Sequence, residues 1–166
     1  LEDMLLYHYR LEAGESTLAN HGRFHPNWSR PTNRARGRRM TRLKNGSNSG
    51  SLPSLPPARL IGEPEDPEWL DLGWSPVCAL GASRVEPPQL PGVYRLLSGD
   101  QVVYLGESKS IGNRLRAHAN RFAAQRMACS WVEMPGALPH HLKERETDLI
   151  GAFFSARRVP PRFQYA

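Results

Sequence analysis

Two tyrosines, an arginine, a histidine and one carboxylate are the residues of this chain best placed to do chemistry together. Tyr94 lies in the string Gly92-Val93-Tyr94, and Tyr104 opens Tyr104-Leu105-Gly106 ten positions later. Arg114 and His118 follow one helical turn apart, and Glu146 sits in a later apolar pattern. A phenol or imidazole can move a proton, a guanidinium can grip a phosphate with two donors, and a carboxylate can hold a hard cation. That set suits hydrolysis of a phosphodiester.

Local patterns indicate how these residues are positioned. Gly92 to Leu97 and Gln101 to Gly106 are β-rich runs around Ser98-Gly99-Asp100, which predicts a hairpin. An odd loop centred on Gly99 sets Tyr94 opposite Tyr104, with Leu96 and Val102 on the same face. A helix is expected from Ser110, its N-cap, to Met127, and a third strand over Cys129 to Met134. Ile111, Arg114, Leu115, His118 and Phe122 fall on one side of that helix. A second helix runs from about Pro139 to Arg157, stopped by Pro160-Pro161. On it Leu142, Glu146, Leu149, Ile150 and Phe153 share one face, while Glu144 and Asp148 read as surface acids. A carboxylate on a buried face needs a partner: either an arginine such as Arg114 or a divalent cation.

From Gly92 to Gln164 the sequence resembles the GIY-YIG nuclease family. Gly92-Val93-Tyr94 and Tyr104-Leu105-Gly106 match its two name-giving strings, with Leu105 for the usual isoleucine, and Glu107-Ser108-Lys109-Ser110 follows. Arg114 and His118 fall at the family's arginine and histidine, and Glu146-Thr147-Asp148-Leu149-Ile150 at its metal-binding glutamate. Pro161-Arg162-Phe163-Gln164 stands where the family often has an asparagine, so Gln164 is a supporting residue with a longer stem. The order strand, strand, helix, strand, helix predicts an α+β unit, and the resemblance implies a small antiparallel three-stranded sheet flanked by helices. Charge and proline mark a loop-rich basic N-terminal extension before it. The resemblance also implies a metal-dependent endonuclease of restriction or repair type acting on DNA, expected to be double-stranded. Glu146 would bind Mg²⁺ or Mn²⁺, and Arg114 would hydrogen-bond the phosphate. Tyr94 would be general base, its pKa lowered by nearby positive charge. His118 would take that proton or orient Tyr94, and Tyr104 would position water or phosphate. Two alternatives stay open: a non-catalytic nucleic-acid-binding module with the same fold, and an RNA-directed nuclease.

Composition bounds the remainder. The 166 residues carry 22 Lys and Arg against 16 Asp and Glu, a net charge of +6 that favours an anionic partner. No run of about 18 apolar residues exists to span a bilayer, and no membrane partner is expected. Charge and proline split the chain into residues 1–88, an extension expected to contact DNA, and residues 89–166, the nuclease-like part. Ser16 to Gly62 contains no acid. Its Arg30, Arg34, Arg36, Arg38, Arg39, Arg42 and Lys44, with Lys109 further on, are the candidate DNA contacts, and residues 20–44 read as an arm whose binding would depend on salt. His8, His21 and His25 lack the cysteine pair of a zinc cluster. The acids from Glu63 to Asp71 read as a solubilising loop, and the Asn45 to Ser51 stretch as a linker. Leu5 to Arg10 has strand character, and the acidic opening does not look like a signal peptide. The first residue is Leu1, which leaves room for an upstream region. Cys78 and Cys129 are expected to be plain buried thiols, in keeping with a reducing, cytoplasmic setting. A double-strand cutter with one site per chain would act as a homodimer.

Overall fold

The computed structural model describes residues 1–17, 53–81 and 86–165. The candidate contacts Arg30, Arg34, Arg36, Arg38, Arg39, Arg42 and Lys44 lie outside the described residues. Helix α1 (Glu2–Ala13) is followed by the short strand β1 (Cys78–Ala79), then β2 (Gly92–Ser98) and β3 (Gln101–Ser108). Helix α2 (Ile111–Arg121), strand β4 (Met127–Glu133) and helix α3 (Pro139–Arg157) complete an α+β chain. The sheet is antiparallel and four-stranded, in the order β1-β4-β2-β3. The expected three strands are β2, β3 and β4; the fourth is β1, whose Cys78 pairs with Cys129 at the edge.

Each face of the sheet buries its own cluster. On one side Tyr94, Leu96 and Val103 meet Ile111 and Leu115 of α2 and Phe122 just past its end. On the other, Val93, Leu97, Val102 and Leu105 meet Leu149, Ile150 and Phe153 of α3, together with Tyr7, Trp69 and Trp74. This alternation along β2 is the period-two pattern of a strand buried on both faces. Arg95 is also buried on the second side, stacked 4.4 Å from the Trp74 ring and donating to the Pro64 and Asp66 carbonyls.

Leu5 to Arg10 is helical, not extended. Its aromatic content favours a strand, but Tyr7 and Arg10 face α3, and that packing overrides local preference. Glu144 and Asp148 are fully buried, contrary to the surface expectation. Arg10 Nε donates to Asp148 Oδ1 at 2.7 Å, and its guanidinium lies 3.7 Å from Glu144. Glu144 also accepts from the Ser54 hydroxyl and the Leu55 N–H. Burial raises the Glu144 pKa, but these donors and Arg10 outweigh it and leave it below the ordinary value. The acidic loop is likewise tied down, with Glu63 and Glu65 both paired to Arg157 of α3. Among the described residues no helix is long and apolar enough to cross a membrane.

Candidate active site

The β2–β3 hairpin sets the site. Its loop is the two residues Gly99 and Asp100, closed by Ser98 opposite Gln101. Gly99 has φ 59°, the position where a two-residue turn of type II′ places glycine. The register then shifts between Leu96 and Leu97, leaving Val103 as the extra residue of a bulge. Tyr94 therefore pairs with Gly106, and Tyr104 with Leu96, rather than with each other. The even loop and the bulge together move the register by two residues, so both phenols stay on the α2 face. Val102 falls before the bulge and turns to the opposite face, contrary to expectation.

The diagonal arrangement stacks the two rings, with centroids 6.0 Å apart and planes 21° from parallel. Gly106 makes this possible. A Cβ there would stand 2.6 Å from Tyr94 Oη and 2.9 Å from a Tyr104 ring carbon. His118, buried on α2, closes the group: its Nε2 is 2.8 Å from Tyr94 Oη, and its ring lies 5.0 Å from that of Tyr104. Phe122 stacks behind His118, and Phe163 packs on Phe122. Ser110 occupies the N-cap position of α2 without capping it; its hydroxyl donates to Gln89 Oε1 at 2.6 Å. The helix ends at Arg121, short of the expected Met127.

Burial governs the protonation states. It pushes the Tyr94 phenol well above its usual value, Tyr104 adds to the rise, and the Arg114 charge offsets only part of it. The expected lowering by positive charge is therefore outweighed by desolvation. Burial, then the charges of Arg114 and Arg121, lowers His118 to about 4. At neutral pH both partners are uncharged and share one hydrogen bond.

Arg114, one turn before His118 on α2, is exposed. With Glu107, Ser108, Lys109, Ser110 and Asn113 it lines a groove of about 430 Å³ at the open end of the hairpin. Glu146 reaches the same end from α3. Its Oε1 accepts the Glu107 N–H at 3.3 Å, and its Oε2 lies 3.0 Å from Lys143 Nζ. Burial raises the Glu146 pKa, Lys143 works against that rise, and Glu107 adds to it. Its charge is felt at Tyr94. Thus Tyr94, Tyr104 and His118 form one packed group, Arg114 and Lys109 line the groove, and Glu146 is joined to that groove through its contact with Glu107. Gln164 serves the scaffold: its amide accepts from Leu105 N–H at 3.0 Å and donates to Leu105 O at 2.9 Å, closing the outer edge of β3.

Glu107 and Lys143 were not among the residues singled out from sequence. The signal for Lys143 was its i,i+3 spacing from Glu146, and for Glu107 its place directly after Tyr104-Leu105-Gly106. Among the described residues no three His, Cys, Asp or Glu side chains cluster as a metal cage. In comparisons with known proteins, no family model, curated protein or solved structure matches this chain.

Proposed function

We propose that this chain is a metal-dependent DNA endonuclease that hydrolyses a phosphodiester at the groove beside Tyr94. The observation that carries this reading is the 2.8 Å contact between Tyr94 Oη and His118 Nε2, packed against Tyr104 next to a groove lined by Arg114. A buried phenol must find a hydrogen-bond partner; a neutral imidazole in that place, beside a groove carrying an exposed arginine, supplies a group that can also accept a proton.

The donor chemistry suits a hard divalent ion such as Mg²⁺ or Mn²⁺. Glu146 is a part-buried carboxylate whose environment already calls for a cation, and Glu107 supplies a second carboxylate. One or two carboxylates, with water and substrate phosphate, is how Mg²⁺ is commonly held. Bound there, such an ion supplies charge stabilisation for the phosphoryl and leaving oxygens.

The chain's own residues do the rest. Arg114 and Lys109 draw the phosphate backbone into the groove, Arg114 matching two oxygens with its planar fork. Tyr94 Oη receives a proton from the attacking water while passing its own to His118 Nε2. Tyr104, stacked beside both rings, fixes the direction from which the water approaches. In the free protein burial opposes charge on either relay partner, so both stay neutral. The run from Arg30 to Lys44, rich in arginine and free of acids, would add salt-dependent phosphate contacts.

Incubation with plasmid DNA and Mg²⁺, followed by sequencing of the product ends, tests the assignment. Tyr94→Phe keeps the ring and removes the relay hydroxyl, so cleavage falls about 10²–10⁴-fold, the range for loss of general acid–base catalysis. An unchanged rate in Tyr94→Phe would overturn the relay.

A further inference from the structure

Lys143 belongs to none of the motif strings, yet among the described residues it is the cation paired with Glu146. Its Nζ lies 2.8 Å from Glu107 Oε1 and 3.0 Å from Glu146 Oε2. The two acids come from different elements, the end of β3 and the middle of α3, and the Glu107 N–H to Glu146 Oε1 bond joins them again. Their side chains are only 18% and 21% exposed, whereas Lys143 is 50% exposed. An exposed i,i+3 ion pair alone contributes little. Here one ammonium bridges two part-buried carboxylates that would otherwise repel each other across the gap between strand and helix.

We propose that the Lys143 ammonium is the resident counter-ion of the Glu107–Glu146 pair, which a divalent cation must displace to bind Glu146. The inference rests on the reading of Glu146 as a metal ligand. It follows from charge and reach. Two carboxylates balanced by one ammonium leave one negative charge, so the pair attracts a divalent ion, but the ammonium and that ion repel each other. Lysine is a compact point charge on a flexible four-carbon stem, and the half-exposed Lys143 can swing into solvent without any backbone change. Lys143 therefore holds the acids in place in the metal-free protein and sets how much cation is needed to fill the site.

Calorimetric titration of Mg²⁺ or Mn²⁺ into the full chain tests this without any cleavage assay. Removing a repelling unit charge a few ångströms away in a screened, part-exposed site strengthens binding by about tenfold. Lys143→Met and Lys143→Gln are both expected to bind about tenfold more tightly than the parent. Lys143→Arg, which retains the cation, stays within about twofold of the parent, and Glu146→Gln loses binding. Thermal unfolding of each variant reports whether the fold is intact, and the Met and Gln variants serve as independent checks. Lys143→Met and Lys143→Gln that bind no more tightly than the parent, while Glu146→Gln loses binding, overturn the counter-ion role and leave the metal site standing. Titrations that are alike in every variant, or blank in every variant, overturn both.

Discussion

Replacing Gly106 with alanine probes the packing that holds Tyr94, Tyr104 and His118 together. The added methyl would meet Tyr94 Oη at 2.6 Å, Tyr94 Cζ at 2.8 Å and Tyr104 Cε1 at 2.9 Å. No Cβ tolerates such distances, and Tyr94 is 1% exposed, so its ring cannot swing into water. The ring must shift from its place, which disturbs the 2.8 Å contact to His118. Overpacking costs about 1–3 kcal/mol, and loss of one buried hydrogen bond about 1 kcal/mol more. The sum, about 2–4 kcal/mol, lowers Tm by roughly 4–16 °C for a chain of this size. Thermal unfolding followed by circular dichroism measures it. Tyr94→Phe removes the atom that clashes most closely, so Gly106→Ala costs less in that background than in the parent. A double-mutant cycle reads the difference as a coupling of about 1 kcal/mol. Strictly additive effects, or a Gly106→Ala protein with parental Tm, would refute the claim that Gly106 exists to admit the phenol.

Two further outcomes follow from the charges buried in the fold. Arg10→Ala leaves buried Glu144 without its cation and Asp148 with only Arg145, at 3.1 Å. Breaking a buried pair costs about 3–5 kcal/mol, and the retained Arg145 contact puts the expected loss at the lower end. Chemical denaturation gives the value, and a loss under about 1 kcal/mol would show Arg10 to be dispensable. His118 binds its proton more weakly in the folded chain, with a pKa near 4 against 6.5 in the unfolded chain. Between those values the unfolded chain binds more protons, so this contribution is complete above about pH 6.5 and is lost as pH falls through about 4. It amounts to up to about 3 kcal/mol. The parent should therefore lose more stability than His118→Gln over that interval, and identical pH profiles would contradict a buried neutral His118.

Residues 92–157 were legible because each element there declares itself locally. Alternating β-rich runs around Ser98-Gly99-Asp100 marked the hairpin, and α3 begins at Pro139 and ends at Arg157 as its flanking prolines indicated. The tyrosine register was not legible, since the bulge at Val103 has no glycine or proline to announce it. It preserved the shared face only because the even loop compensated. The region around α1 was misread for a different reason. Tyr7 and Arg10 lie three positions apart on one helical face, but a charged residue does not look like core. Its partner Asp148 stands 138 residues away, and only the folded chain brings them together. The same long-range pairing made Glu144 and Asp148 look like surface acids. Glu146, the acid expected to be buried on an apolar face, is instead half-buried and bonded to the Glu107 N–H.

Cleavage of supercoiled plasmid by the parent and by Glu146→Ala, compared at protein concentrations that give equal DNA binding, tests the account most directly. The parent converts plasmid to nicked or linear product with Mg²⁺ and stops in EDTA, while Glu146→Ala binds DNA and leaves it intact. Cleavage by Glu146→Ala at the parental rate, or undiminished cleavage in EDTA, would contradict it.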